Sequence, residues 1–321
     1  MGDTIEHYFR PITHTFLDKE WGEGFTVYYK SKDGNKVNFL NFAQYTPDDY
    51  ARLERIMKEA DRQEFYIHEN DLIRYYRQCV LKRVRESIES EAPPLRERVN
   101  RIYPVMRRIL SDYLDFDTST RMLRALDEIP DLLVPHLEGT LIPFPTLVSL
   151  TCKDASFETH CANVGLYALY LGRVLNLNGK DLRALLLGGL LSDIGKKGFP
   201  PELAEKKSDL AAEDMKAIRR HPSSGRKLLN DMKCYPEEVL RMVGEHHENF
   251  DGSGYPFGLA GDKISLFARI GRIMDVFNAM TCRRPYREQL KPVAALGQIK
   301  SQMEGHFDPD LIALLFKSFT A

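Results

Sequence analysis

The chain has 321 residues, of which 43% are hydrophobic and 28% charged, a composition typical of a soluble globular protein with one large domain or two. Its 45 lysine and arginine residues balance 46 aspartate and glutamate residues, so the formal net charge of -1 excludes the basic field that binds nucleic acid non-specifically. We therefore expect no DNA partner, and any charge that binds phosphate must be local.

The cysteines and the apolar runs exclude further classes of protein. Five cysteines are scattered and never form a Cys-x-x-Cys pair, which argues against a disulfide framework and against a zinc ribbon. The N-terminus lacks a signal-peptide pattern, and the longest apolar runs, residues 166–171 and 185–191, are too short to span a membrane. The sequence therefore predicts a cytoplasmic protein with no membrane partner, in which both runs are buried helices.

Residues 1–76 mix strand and helix patterns. Two strand patterns flank an Asp33-Gly34 turn and a third follows later; they lie at residues 25–29, 37–40 and 65–67. Thr46, followed by proline and two aspartates, predicts the start of one helix, and a second helix is predicted from about Asn70. Because no catalytic constellation stands out here, we expect a small α/β domain with a regulatory or interaction role.

The pattern over residues 77–140 is helical, highly charged and rich in arginine, with a break at Ala92-Pro93-Pro94. It favours a solvated helical connector, and a partner-binding face is the alternative. Over residues 141–321 the strand patterns end and helical periods dominate, which predicts an all-α domain. The fold class is therefore α+β overall. Helices of the last domain are predicted at residues 157–175, 180–192, 212–220, 223–231, 236–247, 264–281 and 292–303.

Two adjacent histidines, His246 and His247, lead into a glycine-rich loop that carries Asp251. Adjacent side chains on a helix point about 100° apart, so the two rings cannot share one apolar face, and two charged rings would repel. A divalent metal ion resolves this conflict, because neutral imidazole is the commonest protein ligand for metals. The pattern therefore indicates a metal site, and a surface pair at a helix end is the alternative.

Two further histidines and two aspartates lie in the same domain, namely His160, His221, Asp193 and Asp275. The aspartates sit on apolar helices, where a carboxylate is costly to bury unless a cation or hydrogen bonds compensate it. For each residue alone, a helix cap or a local ion pair is the alternative. Together with the adjacent pair they supply about six nitrogen and oxygen ligands, the inventory for two metal ions bridged by one carboxylate.

Four segments carry a resemblance to a known family: residues 190–196 (LLSDIGK), 220–225 (RHPSSG), 246–256 (HHENFDGSGYP) and 275–287 (DVFNAMTCRRPYR). In order and spacing, the C-terminal domain resembles the HD-GYP family of metal-dependent phosphodiesterases. The resemblance implies an all-α HD-type domain that hydrolyses cyclic di-GMP to pGpG or GMP. The attacking group would be a hydroxide bridging two metals, formed from a water whose pKa is lowered to about 7.

The resemblance also implies a role for each matching residue. His160, Asp193 and Asp275 would hold the first metal. Asp193 would bridge it to a second metal, whose other ligands would be His221, His246 and His247. Lys196 would neutralise a phosphate oxygen beside Asp193. Further contacts with the substrate would come from Arg284, Arg287, Gly254, Tyr255 and Pro256. The two divalent metal ions would be iron or manganese.

One position departs from the family pattern, because Ser192 stands where the family has the histidine directly before the bridging aspartate. A hydroxyl is a poor ligand beside imidazole, so we expect weaker binding of the first metal. Some relatives hold an additional metal through a carboxylate one turn before the His160 position, where this chain has Ser156, so we expect two metals. Cys161 is either a substitute ligand or a small buried helix residue.

Three functions stay open on this basis. The first is a cyclic di-GMP phosphodiesterase with a di-metal centre. The second, motivated by Ser192, is a catalytically weak or inactive domain that acts as a cyclic di-GMP receptor or a protein-interaction module. The third is a phosphohydrolase of another nucleotide. Candidate partners are cyclic di-GMP, proteins with diguanylate cyclase (GGDEF) domains, which the loop at Tyr255 would contact, and a second copy of the chain.

Overall fold

The structure is a computed structural model that describes residues 8–12, 17, 25–33, 36–43, 51, 55, 65–115, 120–137, 142–152, 154–199, 203, 211–283 and 289–320. The chain divides into two compact units, Met1–Pro93 with Ser111–Glu128 and Pro94–Leu110 with Ile129–Ala321. The domain boundaries expected near residues 76 and 140 stay a prediction. Among the described helices, none combines the length and the apolar character that crossing a bilayer requires.

A four-stranded antiparallel sheet characterises the first unit. Its strands are β1 (Phe9–Ile12), β2 (Val27–Asp33), β3 (Lys36–Ala43) and β4 (Phe65–His68), in the spatial order β1-β4-β2-β3. The predicted hairpin is confirmed, since β2 pairs with β3 and Lys30 lies opposite Phe39. The turn residue Gly34 and Thr46, where the first helix is predicted to start, lie outside the described residues, and the described residues Ala51 and Arg55 are helical.

A helical run follows the sheet and ends at the predicted break. It consists of α1 (Leu72–Tyr75), a π-helical segment (Tyr76–Leu81) and α2 (Lys82–Glu91). Ala92 ends the run in the left-handed region with φ of 44°, and the next helix, α3 (Leu95–Asp115), starts after two prolines. Within the first unit the buried carboxylate of Asp112 accepts a hydrogen bond from the Tyr76 hydroxyl and pairs with Arg10. These two partners compensate the burial of the charge.

The second unit is helical throughout its described part. Its helices after α3 are α4 (Ile129–Leu133), α5 (Phe144–Thr151), α6 (Phe157–Val174), α7 (Gly179–Leu191), α8 (Ala212–Ile218), α9 (His221–Met232), α10 (Glu237–Glu245), α11 (Leu266–Thr281), α12 (Pro292–Gln302) and α13 (Pro309–Thr320). A sheet in one unit and helices in the other confirm the predicted α+β class. All seven helices predicted for this domain are confirmed to within two residues at each end.

Polar caps explain where three of these helices begin. Ser156 accepts a hydrogen bond from the backbone N–H of Thr159 at the start of α6, and Asn178 and Ser265 cap α7 and α11 in the same way. Proline fits the first turn of a helix, so α9 starts at His221 despite Pro222. Ser156 is therefore the N-cap of α6. It stands at the position where some relatives have a metal-binding carboxylate and where we expected no metal ligand in this chain.

An aromatic cluster joins the helices that carry the histidines and aspartates. The ring of Phe144 in α5 packs against Tyr167 in α6, Phe277 in α11 and Phe319 in α13, with ring centroids 5.1 to 5.3 Å apart. Phe144, Tyr167 and Phe277 are fully buried. Aromatic pairs at this spacing stabilise a core beyond the burial of their area. The cluster fixes α6 beside α11.

Helices α6 and α7 cross at two glycines. A Cβ atom on Gly189 would lie 2.5 Å from the Cα atom of Gly165 and 2.7 Å from its backbone nitrogen. No side chain fits at that distance, so the crossing needs glycine at position 189, and a Cβ atom on Gly165 would lie 3.0 Å from the carbonyl oxygen of Leu186. The close approach sets the C-terminal end of α7 against the middle of α6.

We expect Gly189→Ala to push α6 and α7 apart and to lower the free energy of unfolding by about 1–3 kcal/mol, the usual effect of overpacking a core. Chemical denaturation measures this change. Gly297→Ala is the matched control, because a Cβ atom on this glycine in α12 would meet none of the described neighbouring groups within 4 Å. In a helix interior that substitution stabilises by about 0.5–1 kcal/mol. Equal effects of the two variants would contradict the packing argument.

Candidate metal centre

The predicted site residues are brought together by the ends of several helices. Asp193 lies two residues after α7, His221 is the first residue of α9, and His246 and His247 follow the end of α10. His160 lies in the first turns of α6, and Asp275 lies inside α11. The histidine pair was predicted within a helix, but α10 ends at Glu245 and both residues form a turn. This turn allows both rings to face one site, with centroids 4.2 Å apart.

A second close backbone contact positions Asp193. A Cβ atom on Gly195 would lie 2.1 Å from the carbonyl oxygen of His221 and 2.7 Å from the nitrogen of Gly225. The short helical segment Ile194–Gly198 therefore packs directly on the first turn of α9. As a result, the carboxylate of Asp193 reaches the imidazole of His221 at 3.0 Å.

Four side chains form a compact cluster: Asp193, His221, His246 and His247 each offer one atom, and these atoms lie within 4.8 Å of one another. Oδ1 of Asp193 lies 3.0 Å from Nε2 of His221 and 3.7 Å from Nε2 of His246. Asp193, His221 and His246 are at most 2% exposed. Nitrogen and oxygen donors at such spacing suit a divalent transition metal.

The protons of two rings can be assigned from their backbone contacts. Nδ1 of His221 lies 2.7 Å from the carbonyl oxygen of Ile218, and Nδ1 of His246 lies 2.8 Å from that of Val243. A carbonyl only accepts, so each neutral ring donates its Nδ1–H and keeps a lone pair on Nε2. Histidines that bind metals characteristically donate their second nitrogen to a backbone carbonyl in this way.

These assignments leave three acceptor atoms facing one another. The Nε2 atoms of His221 and His246 are 3.2 Å apart, and both face Oδ1 of Asp193. Within the described part of the chain no hydrogen bond reaches this buried oxygen. Three converging lone pairs repel unless a cation lies among them. The residues therefore fit a metal ion.

The charge states of the cluster are those of metal ligands. Burial lowers the pKa of His221, and burial, with the neighbouring ring of His246 as a smaller cause, lowers the pKa of His247 well below its ordinary value. Burial alone would raise the pKa of Asp193, but the ammonium of Lys196 is the largest opposing cause, and that pKa lies well below its usual range. Neutral imidazole beside an ionised carboxylate is the combination that binds metal.

The other oxygen of Asp193 faces a second group of residues. Oδ2 lies 3.5 Å from Nε2 of His160, which is also 3.1 Å from Oδ1 of Asp275. Oδ2 of Asp275 lies 3.8 Å from Nδ1 of His247 and 3.5 Å from Nη1 of Arg272. The pKa of Asp275 is lowered because His160, His247 and Arg272 outweigh its burial. The two oxygens of Asp193 thus face two different ligand groups, the geometry that a bridging carboxylate requires.

Lys196 and Ser192 flank the bridging position. Nζ of Lys196 donates to Oδ2 of Asp193, and this carboxylate raises the pKa of the ammonium, which stays charged. Ser192 is buried, and its hydroxyl donates to the carbonyl oxygen of Gly189 at 2.9 Å, one turn earlier in α7. The hydroxyl proton of Ser192 is therefore used in a hydrogen bond at the C-terminal end of α7. Cys161 is fully buried, and burial raises its pKa well above the ordinary value, which keeps the thiol protonated.

The loop after the histidine pair is folded back over the site. The carboxylate of Glu248 accepts the backbone N–H of Phe257 at 2.6 Å and that of Leu259 at 2.9 Å. Gly254 passes so close to the chain that a Cβ atom there would lie 2.2 Å from the nitrogen of Asn249. The ring of Tyr255 consequently stacks on His247 with centroids 4.7 Å apart.

Sequence reasoning missed several residues that the structure brings to the site. The guanidinium of Arg219 lies 5.4 Å from the centre of the Tyr255 ring, and Arg272 lies beside Asp275. The side-chain amide of Asn278 contacts Nδ1 of His160 at 2.7 Å. Asn278 follows Asp275 by three positions, so helical spacing places it on the same side of α11. That spacing is the signal that could have identified it. The predicted phosphate ligands Arg284 and Arg287 lie outside the described residues.

Comparison with known proteins places this geometry in context. A family model described as HD domain matches residues 144–311. The chain is 35% identical over 193 residues to the cyclic di-GMP phosphodiesterase PA4108 of Pseudomonas aeruginosa, covering 60% of this chain and 45% of the relative. It is 33% identical over 183 residues to 3'3'-cGAMP-specific phosphodiesterase 3 of Vibrio cholerae, covering 57% of this chain and 39% of that protein. The chain thus spans less than half the length of these relatives.

A solved structure also aligns with most of the chain. Bd1817, an HDG"Y"P protein from Bdellovibrio bacteriovorus, aligns over 98% of this chain and 100% of its own, with a TM-score of 0.64 and 17% sequence identity. At this identity the likeness concerns the fold. The HD-type helical domain expected from the sequence is confirmed, and so is the resemblance to HD-GYP proteins.

Removal of one ligand should abolish the response of the protein to metal. Mn²⁺ added to chelator-treated protein should raise the thermal unfolding temperature, because a ligand that binds only the folded state stabilises it. Asp193→Ala removes the oxygen on which the imidazoles converge, so its unfolding temperature should not respond. His306→Gln is the control, since this histidine lies away from the cluster. The assignment is wrong if Asp193→Ala responds like the parent protein.

The loop anchor can be tested separately. In Glu248→Gln the side chain loses its charge and can accept through only one oxygen, so the amides of Phe257 and Leu259 should exchange with solvent about 10–100-fold faster, the equivalent of about 1.5–3 kcal/mol. Hydrogen exchange followed by mass spectrometry reports this change. The exposed residue Glu238 provides the control variant, Glu238→Gln, which should leave the exchange in the loop unchanged. Unaltered exchange in Glu248→Gln would show that other contacts hold the loop.

Proposed function

Because the chain belongs to the HD domain family, we propose that it is a metal-dependent phosphodiesterase that hydrolyses cyclic di-GMP. The observation that carries the proposal is the convergence of three acceptor atoms at the buried carboxylate of Asp193. Such an arrangement is unfavourable in itself and becomes favourable when a cation binds. A purely structural helical domain gains nothing from it.

The proposed centre would hold two divalent ions, and Asp193 would offer one oxygen to each. The first ion would be bound by His160, Asp193 and Asp275, and the second by Asp193 and the three histidines His221, His246 and His247. Distances of 3.0 to 3.8 Å between these side chains support the assignment. Imidazole and carboxylate together suit iron or manganese.

Side chains of this protein would prepare the substrate around that centre. When bound, the metals would polarise a phosphodiester and supply a water of lowered pKa. Lys196, charged and one-third exposed, would shift its ammonium from Asp193 towards a non-bridging phosphate oxygen. The stacked pair of His247 and Tyr255, with the guanidinium of Arg219 5.4 Å from the centre of the tyrosine ring, would contact the substrate beside the cluster.

The substrate and the product are the finer part of the proposal. A relative that acts on cyclic di-GMP and one specific for 3'3'-cGAMP share similar identity with this chain, so a hydrolase of another cyclic dinucleotide is the alternative. We propose linear pGpG as the first product and GMP as the product of a second hydrolysis. The loop at Tyr255 is also the proposed contact for diguanylate cyclase (GGDEF) domains. A homodimer and a cytoplasmic location stay predictions.

A second candidate function follows from Ser192. Its buried hydroxyl donates to the Gly189 carbonyl, so the position offers no imidazole to the ion beside His160. Weak binding of that ion would leave a domain that binds the cyclic dinucleotide and turns it over slowly or not at all. Such a domain would act as a receptor and signal through the first unit.

Turnover distinguishes the two candidate functions. Iron- or manganese-loaded protein should convert cyclic di-GMP to pGpG, measured by chromatography against 3'3'-cGAMP as a second substrate, and Asp193→Ala should be inactive. Ser192→His should raise turnover about 10–100-fold by adding an imidazole ligand. A silent parent with an active Ser192→His variant would favour the receptor. A loaded parent that leaves every cyclic dinucleotide intact, with Ser192→His equally silent, would refute the enzymatic proposal.

A further inference from the structure

A row of buried polar side chains runs from His160 into the core of the second unit. Its members are Tyr103 in α3, Asn163 in α6 and Asn278 in α11, which are exposed by 3%, 0% and 2%. The hydroxyl of Tyr103 lies 2.8 Å from the Asn163 amide, the two amides lie 2.8 Å apart, and the Asn278 amide lies 2.7 Å from Nδ1 of His160. The row therefore connects His160, a predicted metal ligand, to three side chains that have no assigned role in the proposed reaction.

The far end of the row determines its direction. The Tyr103 hydroxyl also lies 2.6 Å from the carbonyl oxygen of Thr151, which can only accept. In the recorded orientation of the amides, Oδ1 of Asn163 is a second acceptor for the same hydroxyl, and Nδ2 of Asn278 faces His160. A hydroxyl has one proton and cannot donate to both acceptors. This orientation leaves two oxygens in contact without a proton between them.

Rotation of both amides by 180° removes the conflict. Amide oxygen and nitrogen have nearly the same shape, so their hydrogen bonds decide the assignment. Tyr103 then donates to Thr151 and accepts from the Asn163 amide nitrogen, and Asn163 accepts from the Asn278 amide nitrogen. The oxygen of Asn278 now faces Nδ1 of His160, which must carry the proton. Cys282, 3.1 to 3.5 Å from both amides, can donate or accept in either arrangement.

We infer that Tyr103, Asn163 and Asn278 form a one-directional hydrogen-bond relay that holds His160 as its Nδ1–H tautomer and directs the Nε2 lone pair at the metal position between Asp193 and Asp275. The three are positioning residues, since none touches the proposed reacting atoms. The inference rests on the proposed metal centre. Nε2 of His160 lies 3.1 Å and 3.5 Å from the two carboxylates, so a proton there would block the ligand atom.

The tautomer can be measured without metal and without substrate. Nitrogen NMR of ¹⁵N-histidine-labelled, chelator-treated full chain distinguishes a protonated ring nitrogen from one with a lone pair, and His160→Gln identifies the resonances by their loss. We expect protonated Nδ1 in the parent at neutral pH. A protonated Nε2, in a neutral or in a doubly protonated ring, would overturn the inference. In Tyr103→Phe, which frees the direction of the amides, the Nε2–H tautomer should gain population; an unchanged spectrum would likewise overturn it.

Metal affinity provides the second measurement. Asn278→Leu removes the acceptor at similar volume and should weaken binding of one Mn²⁺ equivalent about 10–100-fold in calorimetry, the usual effect of losing such a partner. The carboxylate of the Asn278→Asp variant can only accept a hydrogen bond. This variant should therefore bind both Mn²⁺ equivalents at least as tightly as the parent. Losses of equal size in Asp and Leu variants, or none in the Leu variant, would overturn the relay. If the tautomer and the metal affinities are as expected but the metal-loaded parent protein shows no turnover, the enzymatic function is refuted and the relay stands.

Discussion

The buried carboxylate of Asp193 is the constraint on which the centre depends. Its oxygens face opposite sides, and Lys196 supplies a positive charge to only one of them. On the other side the imidazoles of His221 and His246 present lone pairs, because backbone carbonyls hold their protons. An anion in such surroundings is costly to bury without a cation. The helices that meet at this point therefore bring together a carboxylate oxygen and two imidazole nitrogens to which no hydrogen-bond donor of the described residues is directed.

Rigid backbone contacts maintain this arrangement. At Gly189, which meets Gly165, and at Gly195, which meets Gly225, helical segments lie closer than a side chain on Gly189 or Gly195 would permit. Glu248 holds the loop that places Tyr255 over His247. Ligands that lie at helix ends fixed by such contacts have little freedom to rearrange, and a preorganised site binds its metal without the entropy of ordering it. The same backbone contacts therefore determine both the core packing of the helical unit and the geometry of the centre.

Much of this architecture could be predicted from the sequence, because helical periodicity and the apolar runs determine where α6 to α12 lie. The histidines and aspartates could be named because imidazoles and carboxylates on apolar helices conflict with burial. The backbone turn at His246 could not be predicted from the sequence, because the end of α10 depends on packing and not on a capping residue. Arg219 and Asn278 escaped notice because an arginine near a helix end and an asparagine within a helix are ordinary until their neighbours are known.

The two sides of Asp193 differ in how they secure their ligands. His221 and His246 each donate to a backbone carbonyl three residues earlier in the chain, so local backbone alone fixes their tautomers. His160 has an amide instead, and an amide can turn either oxygen or nitrogen towards the ring. On this side Ser192 contributes no imidazole, so a single misplaced proton would remove the one nitrogen ligand proposed for that ion. The proposed relay from Tyr103 through two amides would fix the proton of His160 beside the ion that has fewer ligands. A fixed tautomer matters most there, because that ion has no second imidazole.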